Sequence, residues 1–347
     1  MNFASDNWSG ASAAVMQALA RANGGFVPAY GADALTDAVR RRFCDIFETE
    51  LDVWFTGSGT AANALSMAAA ARPGGLILCS ADAHVWHDEM GASEFFSGGM
   101  KLIPLAATHG RIAPEALAAA LERFAPGSRT GIPTVLTLTQ ASELGTVYRP
   151  DQIAALAAPA AASGLVVHMD GARFANAVAA SGATPAELSW RAGVDIMSFG
   201  GTKNGCWAAD AIVVFEPEKF GDIAALRQRA GHNASKARFI AAQFEAYFAD
   251  GNWLATAAHA NAMAQRLAAG IAASRTARLA WEAEANEVFA VLPAAALARL
   301  RAAGASFHPW PADGIALQPG EDLVRLVTSF ATEAAEVERF VALLGQA

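Results

Sequence analysis

Cysteine is scarce in this sequence, and its few copies are scattered. Cys44, Cys79 and Cys206 are the only three in 347 residues, and no two of them form a C-x-x-C pair. An odd number of widely spaced cysteines argues against a disulfide framework and against a structural zinc site. We therefore expect a protein of a reducing compartment, the cytoplasm.

Basic tracts and long apolar segments are also missing. The formal net charge is -8, and Lys and Arg form no run longer than the three arginines at 40–42, so we expect no nucleic-acid partner and no anionic membrane surface. The first residues, MNFASDNWSG, lack the basic and apolar stretches of a signal peptide. A long Ala-rich uncharged run, 153–169, contains Pro159 and Gly164 and is too broken to span a membrane. A small molecule is the better candidate for a ligand.

The chain does contain enough apolar residues for a large core. Hydrophobic residues make up 54% of it and charged residues 17%, which at this length favours two domains. Between about Leu51 and Phe215, short apolar segments alternate with Ala-rich helical ones, as in βαβ units around a mostly parallel sheet. The predicted strands are VWF (53–55), LILC (76–79), KLIPL (101–105), TVLTL (134–138), LVVHM (165–169), DIMSF (195–199) and AIVVF (211–215).

Helix signals and a change of composition complete the prediction of the fold. Helices are expected at 114–124 and 150–161, where a proline stands near an acidic residue. After Gly251 the chain turns to long Ala/Arg helices mixed with short apolar segments. The sequence thus predicts an α/β fold, with a large domain at 1–250 and a smaller α+β domain at 251–347.

A Gly/Ser/Thr turn between a strand and a helix, VWFTGSGTAANAL, is the first candidate site. Such a turn presents backbone N–H groups, hydroxyls and the positive end of a helix dipole, which suits a phosphate. No Gly-Lys-Ser/Thr follows, so it is not a Walker A motif. Gly57, Gly59 and Ala62 fit G-x-G-x-x-A, with Asp82 after the next strand, as in a dinucleotide fingerprint. A nicotinamide-binding oxidoreductase and a plain tight turn both stay open here.

An aspartate and a lysine follow two of the predicted strands. Asp170 ends LVVHMD, and Lys203 follows DIMSFGGT. Ligands bind at the carboxyl ends of strands in such sheets, so both side chains are placed for one cofactor. A carboxylate keeps a pyridine nitrogen protonated and a lysine amine forms a Schiff base with an aldehyde, which together indicate pyridoxal phosphate. Alternatively, Asp170 caps the next helix and Lys203 is a solvated charge.

Two arginines are candidates for holding a substrate carboxylate. Arg173 lies within one helical turn of Asp170, although an exposed ion pair would explain it equally well. Arg325 lies inside the apolar run LVRLVTSF and needs a carboxylate partner, from the protein or from the substrate.

Histidines and acids are concentrated in ADAHVWHDEMG. This segment does not match H-E-x-x-H, and we predict no metal site. A histidine stacked on a cofactor ring or acting as a base is one interpretation, and a helix start with solvated acids is the other. We interpret the isolated histidines as structural, with His168 on the face of its strand opposite to Asp170. The four histidines in this group are His109, His168, His259 and His308.

Six segments together resemble the threonine aldolase family and, more loosely, the aromatic amino acid β-eliminating lyases of the same aminotransferase-like fold. They are YGADALTDAV, FTGSGTAAN, HVWHDEMGA, HMDGARFANAV, SFGGTKNG and LVRLVTSF. The resemblance implies a pyridoxal-phosphate enzyme that cleaves L-threonine, L-allo-threonine and related β-hydroxy-α-amino acids to glycine and an aldehyde. It also implies a homotetramer, a dimer of dimers, with active sites shared between subunits.

The resemblance also assigns roles to residues. Lys203 would form the Schiff base, Asp170 would face the pyridine nitrogen and His84 would stack on the ring. The phosphate would lie on Ser58, Gly59 and Thr60, with Arg229 and Lys236 reaching it from a neighbouring subunit. Ser5, Arg173 and Arg325 would hold the substrate carboxylate, with Arg173 also near the cofactor.

One segment departs from the pattern of the family. Where some members carry an active-site histidine, this chain has Ala141, Ser142 and Glu143 in TLTQASELGTVY. The base for the β-hydroxyl proton is therefore expected to be His84 or a water that it orients. A β-eliminating lyase on the same fold, a nicotinamide-dependent oxidoreductase and a binding protein without catalysis are the alternatives.

Overall fold

The computed structural model describes residues 1–345, whose strands we number in chain order. They are β1 (Asp52–Thr56), β2 (Gly75–Ser80), β3 (Lys101–Leu105), β4 (Ala107–Thr108), β5 (Arg111–Ile112), β6 (Ile132–Thr139), β7 (Val166–Gly171), β8 (Ile196–Gly200), β9 (Asp210–Val214), β10 (Arg278–Leu279), β11 (Glu287–Pro293), β12 (His308–Pro309) and β13 (Glu321–Val327).

The α-helices are numbered in the same way. They are α1 (Ala13–Ala22), α2 (Ala34–Phe47), α3 (Gly59–Ala69), α4 (His84–His87), α5 (Ala92–Phe96), α6 (Pro114–Arg123), α7 (Pro150–Ala162), α8 (Phe174–Ser181), α9 (Ile223–Arg229), α10 (Arg238–Phe248), α11 (Asn252–Ala272), α12 (Ala294–Ala302) and α13 (Ala334–Leu344).

The seven predicted strands form one central sheet in the order β1-β9-β8-β7-β6-β2-β3. The predicted mostly parallel arrangement is confirmed, with one exception. Strand β9 runs antiparallel to both of its neighbours, β1 and β8. Only residues 201–209 connect β8 to β9, and a parallel crossover needs a dozen residues or more.

Phenylalanine rings fill the core between this sheet and the helices behind it. Phe43 of α2 and Phe244 and Phe248 of α10 surround Phe199 of β8, with ring centroids 4.9–6.1 Å apart. Helix α2 begins at Asp33, whose carboxylate accepts the backbone N–H of Thr36 at 2.9 Å. This packing fixes β8 and so the segment that follows it.

A second, antiparallel sheet with the order β10-β11-β13-β12 forms the smaller α+β unit that the sequence predicts. Helices α12 and α13 and the later turns of α11 pack on it. The first turn of α11 instead places Trp253 in the large core. Phe3, near the N-terminus, lies in the small core, 5.2 Å from the ring of Phe340. The domain boundary near residue 250 stays a prediction, since one helix serves both cores.

No helix within residues 1–345 is long and apolar enough to cross a membrane. All three cysteines are free, with Cys79 and Cys206 buried and Cys44 half-buried.

The prediction that His168 points away from Asp170 is wrong. Side chains alternate along a strand, so residues 168 and 170 of β7 share one face, while Val167 and Met169 enter the large core. His168 is fully buried, and its Nδ1 lies 2.8 Å from Thr137 Oγ1. Burial lowers its pKa to about 4, so the ring is neutral beneath the site.

Candidate active site

A cavity of about 220 Å³ lies where β7 and β8 end and α3 begins. The position agrees with the general rule that ligands bind at the carboxyl ends of parallel strands. The cavity is lined by Asn7, Gly57, Ser58, Gly59, Thr60, Asn63, His84, Glu89, Asp170, Ala172, Thr202, Lys203 and Asp210.

The Gly/Ser/Thr turn leaves two backbone donors facing the cavity. Ser58 caps α3 by accepting the N–H of Ala61 at 3.3 Å. The N–H groups of Gly59 and Thr60 are the first two of the helix, and no acceptor for either lies within residues 1–345. A Cβ added at Gly57 or Gly59 would meet no atom within 4 Å, so the space above the turn is open. Free donors at a helix N-terminus fit a phosphate.

Lys203 lies in a 3-10 helix, Thr202–Asn204, directly after β8. Its neighbour Asn204 is anchored by donating to Tyr247 Oη and to the Trp253 carbonyl, each at 2.8 Å. Thr202 donates to Asp210 at 2.8 Å, and burial raises the pKa of Asp210 to about 6. The half-buried amine of Lys203 therefore lies in a fixed and acidic environment.

Asp170 is buried at the end of β7 with both carboxylate oxygens bonded. Oδ1 accepts the N–H of Ala172 at 3.0 Å, and Oδ2 accepts Asn63 Nδ2 at 2.8 Å. Burial alone would raise the pKa of Asp170, but His84, these two donors and Lys203 outweigh it, so the pKa is lowered. A buried carboxylate that stays charged fits a protonated ring nitrogen.

His84 is held by one of the acids in the segment ADAHVWHDEMG. Its Nδ1 lies 2.9 Å from Oε1 of Glu89, which is buried, whereas the adjacent Asp88 is exposed. Asn63 donates to the same Glu89 oxygen at 2.9 Å and to Asp170, and it accepts from Ser198. The bond to Glu89 is the largest reason why the pKa of His84 is raised. His84, Glu89, Asn63 and Asp170 thus form one hydrogen-bonded chain across the cavity.

Arg173 is buried and already has carboxylate partners. Its Nε and Nη2 donate to Asp6 at 2.7 and 3.0 Å. Its Nη1 lies 4.0 Å from Glu143, and its Nη2 lies 3.4 Å from Glu287. The alternative of an exposed ion pair is wrong, since Arg173 is 5% exposed. Its predicted role with the substrate would have to use Nη1.

Arg325 also has a partner within the protein. Its Nη1 lies 3.9 Å from Glu287, and its guanidinium lies 4.7 Å from the centre of the Trp310 ring. The sequence required a carboxylate partner for this strand residue, and Glu287 of β11 supplies one. Neither arginine lines the cavity described above.

The remaining predicted residues are not brought into the cavity of this single chain. Ser5 caps the 3-10 helix Asp6–Trp8 by accepting the N–H of Asn7 at 3.1 Å. Arg229 and Lys236 are exposed. Arg227, which the sequence did not single out, is buried. It donates to the Phe55 carbonyl at 3.0 Å, next to the candidate phosphate-binding turn.

The dinucleotide alternative does not fit the fold. In a dinucleotide-binding sheet the strand before the glycine turn is central, but here β1 is an edge strand. Asp82 does not line the cavity. Within residues 1–345, no group of three or more His, Cys, Asp or Glu side chains could hold a metal ion.

Besides Arg227, sequence reasoning missed several other residues of the site or its surroundings. Asn63 lies one helical turn after Gly59, so helical periodicity could have placed it beside the turn. Glu287, within the apolar run EVFAVLP, could have been found by the argument that found Arg325. Asp6 and Asp210 had no comparable signal.

Comparisons with known proteins identify relatives of this chain. The β-eliminating lyase family model matches residues 2–295. The low specificity L-threonine aldolase of Pseudomonas sp. (strain NCIMB 10558) is 41% identical over 341 residues, which covers 98% of this chain and 96% of that protein. The enzyme of the same description from Pseudomonas aeruginosa is 44% identical over 313 residues, covering 90% of each.

Solved structures show the same fold. A threonine aldolase from Leishmania major superposes with a TM-score of 0.92 at 26% identity, covering 99% of this chain and 98% of that one. A tryptophan decarboxylase from Catharanthus roseus has a TM-score of 0.76 at 16% identity, covering 99% of this chain and 82% of that one, and it supports the fold alone.

Proposed function

Since the chain belongs to the β-eliminating lyase family, we propose that it cleaves L-threonine, L-allo-threonine and related β-hydroxy-α-amino acids to glycine and an aldehyde. The observation that carries the proposal is the meeting of Lys203, Asp170 and the free N–H groups of Gly59 and Thr60 in one cavity. The enzyme is a carbon–carbon lyase of the aldehyde-lyase class.

The cofactor is pyridoxal 5′-phosphate, which supplies an aldehyde for covalent attachment and a ring that accepts the electrons of the breaking bond. In the proposal Lys203 would hold the aldehyde and Asp170 would keep the ring nitrogen protonated. Ser58, Gly59 and Thr60 would bind the phosphate at the start of α3. His84 would stack on the ring.

The arginines orient the substrate. Ser5, Arg173 and Arg325 hold its carboxylate, so that the bond between Cα and Cβ is the one that breaks. Asp6 fixes the plane of the Arg173 guanidinium and leaves Nη1 as its available edge.

His84 accepts the proton of the β-hydroxyl group. Its Nδ1 is held by Glu89, so Nε2 is the nitrogen available to the substrate. The O–H bond breaks and its proton passes to Nε2, the electron pair left on the oxygen forms the C=O bond of the aldehyde, and the Cα–Cβ bond breaks with its electrons going to the group that the cofactor ring would supply. Glycine is released after Cα regains a proton.

The first experiment tests the cofactor attachment. Wild type mixed with pyridoxal phosphate is expected to turn yellow, and borohydride should fix the cofactor on Lys203, as mass analysis of peptides would show. Lys203→Ala should form no adduct and lose aldolase activity by at least about 10³-fold, since nucleophilic attachment is absent.

Lys101→Ala provides the control, because Lys101 is an exposed lysine outside the cavity. It should bind and react as wild type does. A colourless wild type that takes up no pyridoxal phosphate would refute the proposal. Release of ammonia and a keto acid in place of glycine and an aldehyde would identify the β-eliminating alternative.

We further propose a homotetramer, a dimer of dimers, with shared active sites. In support, Phe26 is fully exposed beside Tyr30 and Lys236, and an open groove of about 370 Å³ runs between this loop and Lys236. An exposed aromatic loop of this kind is typical of a protein interface. Arg229 and Lys236 would then act in the site of a neighbouring subunit.

Mixing two inactive variants tests the shared sites. Lys203→Ala carries intact Arg229 and Lys236, and the Arg229→Ala, Lys236→Ala double variant carries intact Lys203. Hybrid tetramers, verified by light scattering, should regain activity in sites that receive the intact residues from different chains. Hybrids without any regained activity would show that each site is built from one chain.

We also propose that the protein is cytoplasmic, in agreement with three free cysteines. Activity recovered in the membrane or periplasmic fraction of the source cells would contradict this.

A further inference from the structure

Glu287 lies between the two guanidinium groups that are proposed to receive the substrate carboxylate. Its Oε1 is 3.4 Å from Arg173 Nη2 and 3.9 Å from Arg325 Nη1, and its side chain is completely buried. Neither of its oxygens accepts a hydrogen bond from any group within residues 1–345. Glu287 therefore occupies the position of an internal carboxylate ligand, held by charge and not by directed bonds.

Other charged groups face this pair of arginines. Asp6 accepts hydrogen bonds from Nε and Nη2 of Arg173. The third nitrogen of Arg173, Nη1, lies 4.0 Å from Glu143. Three carboxylates thus share two guanidinium groups before any substrate binds. Burial raises the pKa of Glu287 to about 7. Arg173 and Arg325 act to lower this pKa, whereas the negative charges of Glu143 and Asp6 raise it further.

The Glu287 side chain is closed to solvent, whereas the Arg325 side chain beside it is 18% exposed. A Cβ added at Gly145 would stand 2.7 Å from the carbonyl oxygen of Glu287 and 3.0 Å from its Cβ, so Gly145 packs directly on β11. Solvent therefore does not reach the Glu287 carboxylate directly. A buried carboxylate that loses its cations is more stable as the neutral acid.

We propose that binding of the amino-acid carboxylate places a proton on Glu287, so that substrate binding and proton uptake are coupled. The proton comes from solvent and bonds to a carboxylate oxygen of Glu287. The charge of the substrate carboxylate then replaces the charge that Glu287 has lost, so the net charge of the network is unchanged. This inference rests on the proposed function, because it takes Arg173 and Arg325 as the groups that bind the substrate.

The direction of the pH dependence follows from the free protein. Above about pH 7, Glu287 is ionised before binding and protonated after it, so a proton is taken up. Well below that pH, Glu287 already carries the proton and no uptake is needed. In Glu287→Gln, a neutral side chain of the same shape replaces the protonated acid, so this uptake is absent at every pH.

Glycine binding to the protein loaded with pyridoxal phosphate tests the coupling. Titration calorimetry in two buffers of different ionisation enthalpy gives the number of protons exchanged, and visible absorbance gives Kd. At about pH 8 and above, wild type should take up close to one proton more per glycine than Glu287→Gln. The Kd of wild type should rise, relative to that of the variant, by up to about tenfold per pH unit above pH 7. Proton transfers at the amino group of glycine are common to both proteins and cancel.

Two further variants keep the result unambiguous. Glu284→Gln changes an acid three residues away that pairs with Arg111 at 2.9 Å, outside the network, and should match wild type. Glu287→Asp keeps a titratable group, so it should still take up a proton when glycine binds. The pH at which this uptake is half complete should differ from that of wild type. It serves as the comparison if the glutamine variant does not fold.

The outcomes separate this inference from the proposed function. Equal proton uptake in wild type and Glu287→Gln, with glycine bound by both, would overturn the coupling and leave the aldolase proposal intact. The same holds for equal pH midpoints in wild type and Glu287→Asp. Wild type that binds pyridoxal phosphate but no glycine at any pH would overturn both.

Discussion

The carboxylate of Glu89 determines which nitrogen of His84 faces the cavity. The bond of 2.9 Å between Nδ1 and Oε1 leaves Nε2 as the ring nitrogen available to a ligand. The same bond is the main cause of the raised pKa of His84. Asn63 donates hydrogen bonds to both Glu89 and Asp170. A substitution of one of these acids therefore alters the hydrogen bonding of the other.

Replacing Glu89 should therefore change the pH dependence of the reaction. A base must be unprotonated, so activity rises as pH rises through the pKa of His84. Glu89→Gln replaces the carboxylate whose hydrogen bond raises this pKa by a weaker amide acceptor, and the acidic limb of kcat/KM should move to lower pH. The plateau rate should fall, by less than the roughly 10²-fold that loss of a base costs. A pH–rate profile and 15N NMR titration of the His84 ring would measure both effects.

Asp88→Asn is the matched control for this prediction. Asp88 is adjacent to Glu89 but exposed, and within the described chain its side chain makes no hydrogen bond to the His84 ring, although its backbone N–H donates to the His84 carbonyl at 2.9 Å. Its profile should coincide with that of wild type. An unshifted acidic limb in Glu89→Gln would mean that Glu89 does not control the proton of His84.

Strands with several apolar residues in succession could be predicted from the sequence, whereas very short strands could not. All seven strands of the central sheet were found within two residues at either end, since each contains a short segment rich in apolar or β-branched residues. Strands β10 and β12 have two residues each, and no pattern exists at that length. The error at His168 had another cause, because the period of two was counted incorrectly although the strand itself was predicted.

Positions at strand ends were predictable, whereas their partners were not. Lys203 and Asp170 follow two neighbouring strands, so topology alone brings them together. The partner of Arg173 is Asp6, 167 positions away, and no local pattern connects the two. The pairing of Arg325 with Glu287 depends on the register of β11 against β13, which the sequence does not specify.

At the scale of the whole molecule, the N-terminal segment joins the two cores. Phe3 packs in the small core, and its carbonyl accepts the N–H of Val327 of β13 at 2.8 Å. Three residues later, Asp6 pairs with Arg173 at the end of the large sheet. The same segment therefore fixes the relation of both arginines to the cavity.

Asp6→Asn should destabilise the protein and alter its acid unfolding. Asparagine leaves the buried Arg173 with a weaker partner, which costs about 3–5 kcal/mol at neutral pH for a broken buried pair. Burial opposes ionisation of Asp6, but Arg173, Lys203 and Asn286 outweigh it, so the pKa is lower in the folded protein than in the unfolded one. The stability that ionised Asp6 contributes is fully present above its pKa in the unfolded protein, about 3.9. It is lost as the pH falls through its pKa in the folded protein.

Urea unfolding of wild type and Asp6→Asn at several pH values measures both parts of the prediction. The difference in free energy of unfolding should be largest near neutral pH and should shrink as the solution is acidified, because wild type alone loses the charge of Asp6. Asp37→Asn removes an acid that is 53% exposed and pairs with Arg40, and should change stability by less than about 1 kcal/mol. If Asp6→Asn were as stable as the Asp37→Asn control at neutral pH, the N-terminal segment would not be held through its buried charge, and Phe3 alone would join the two cores.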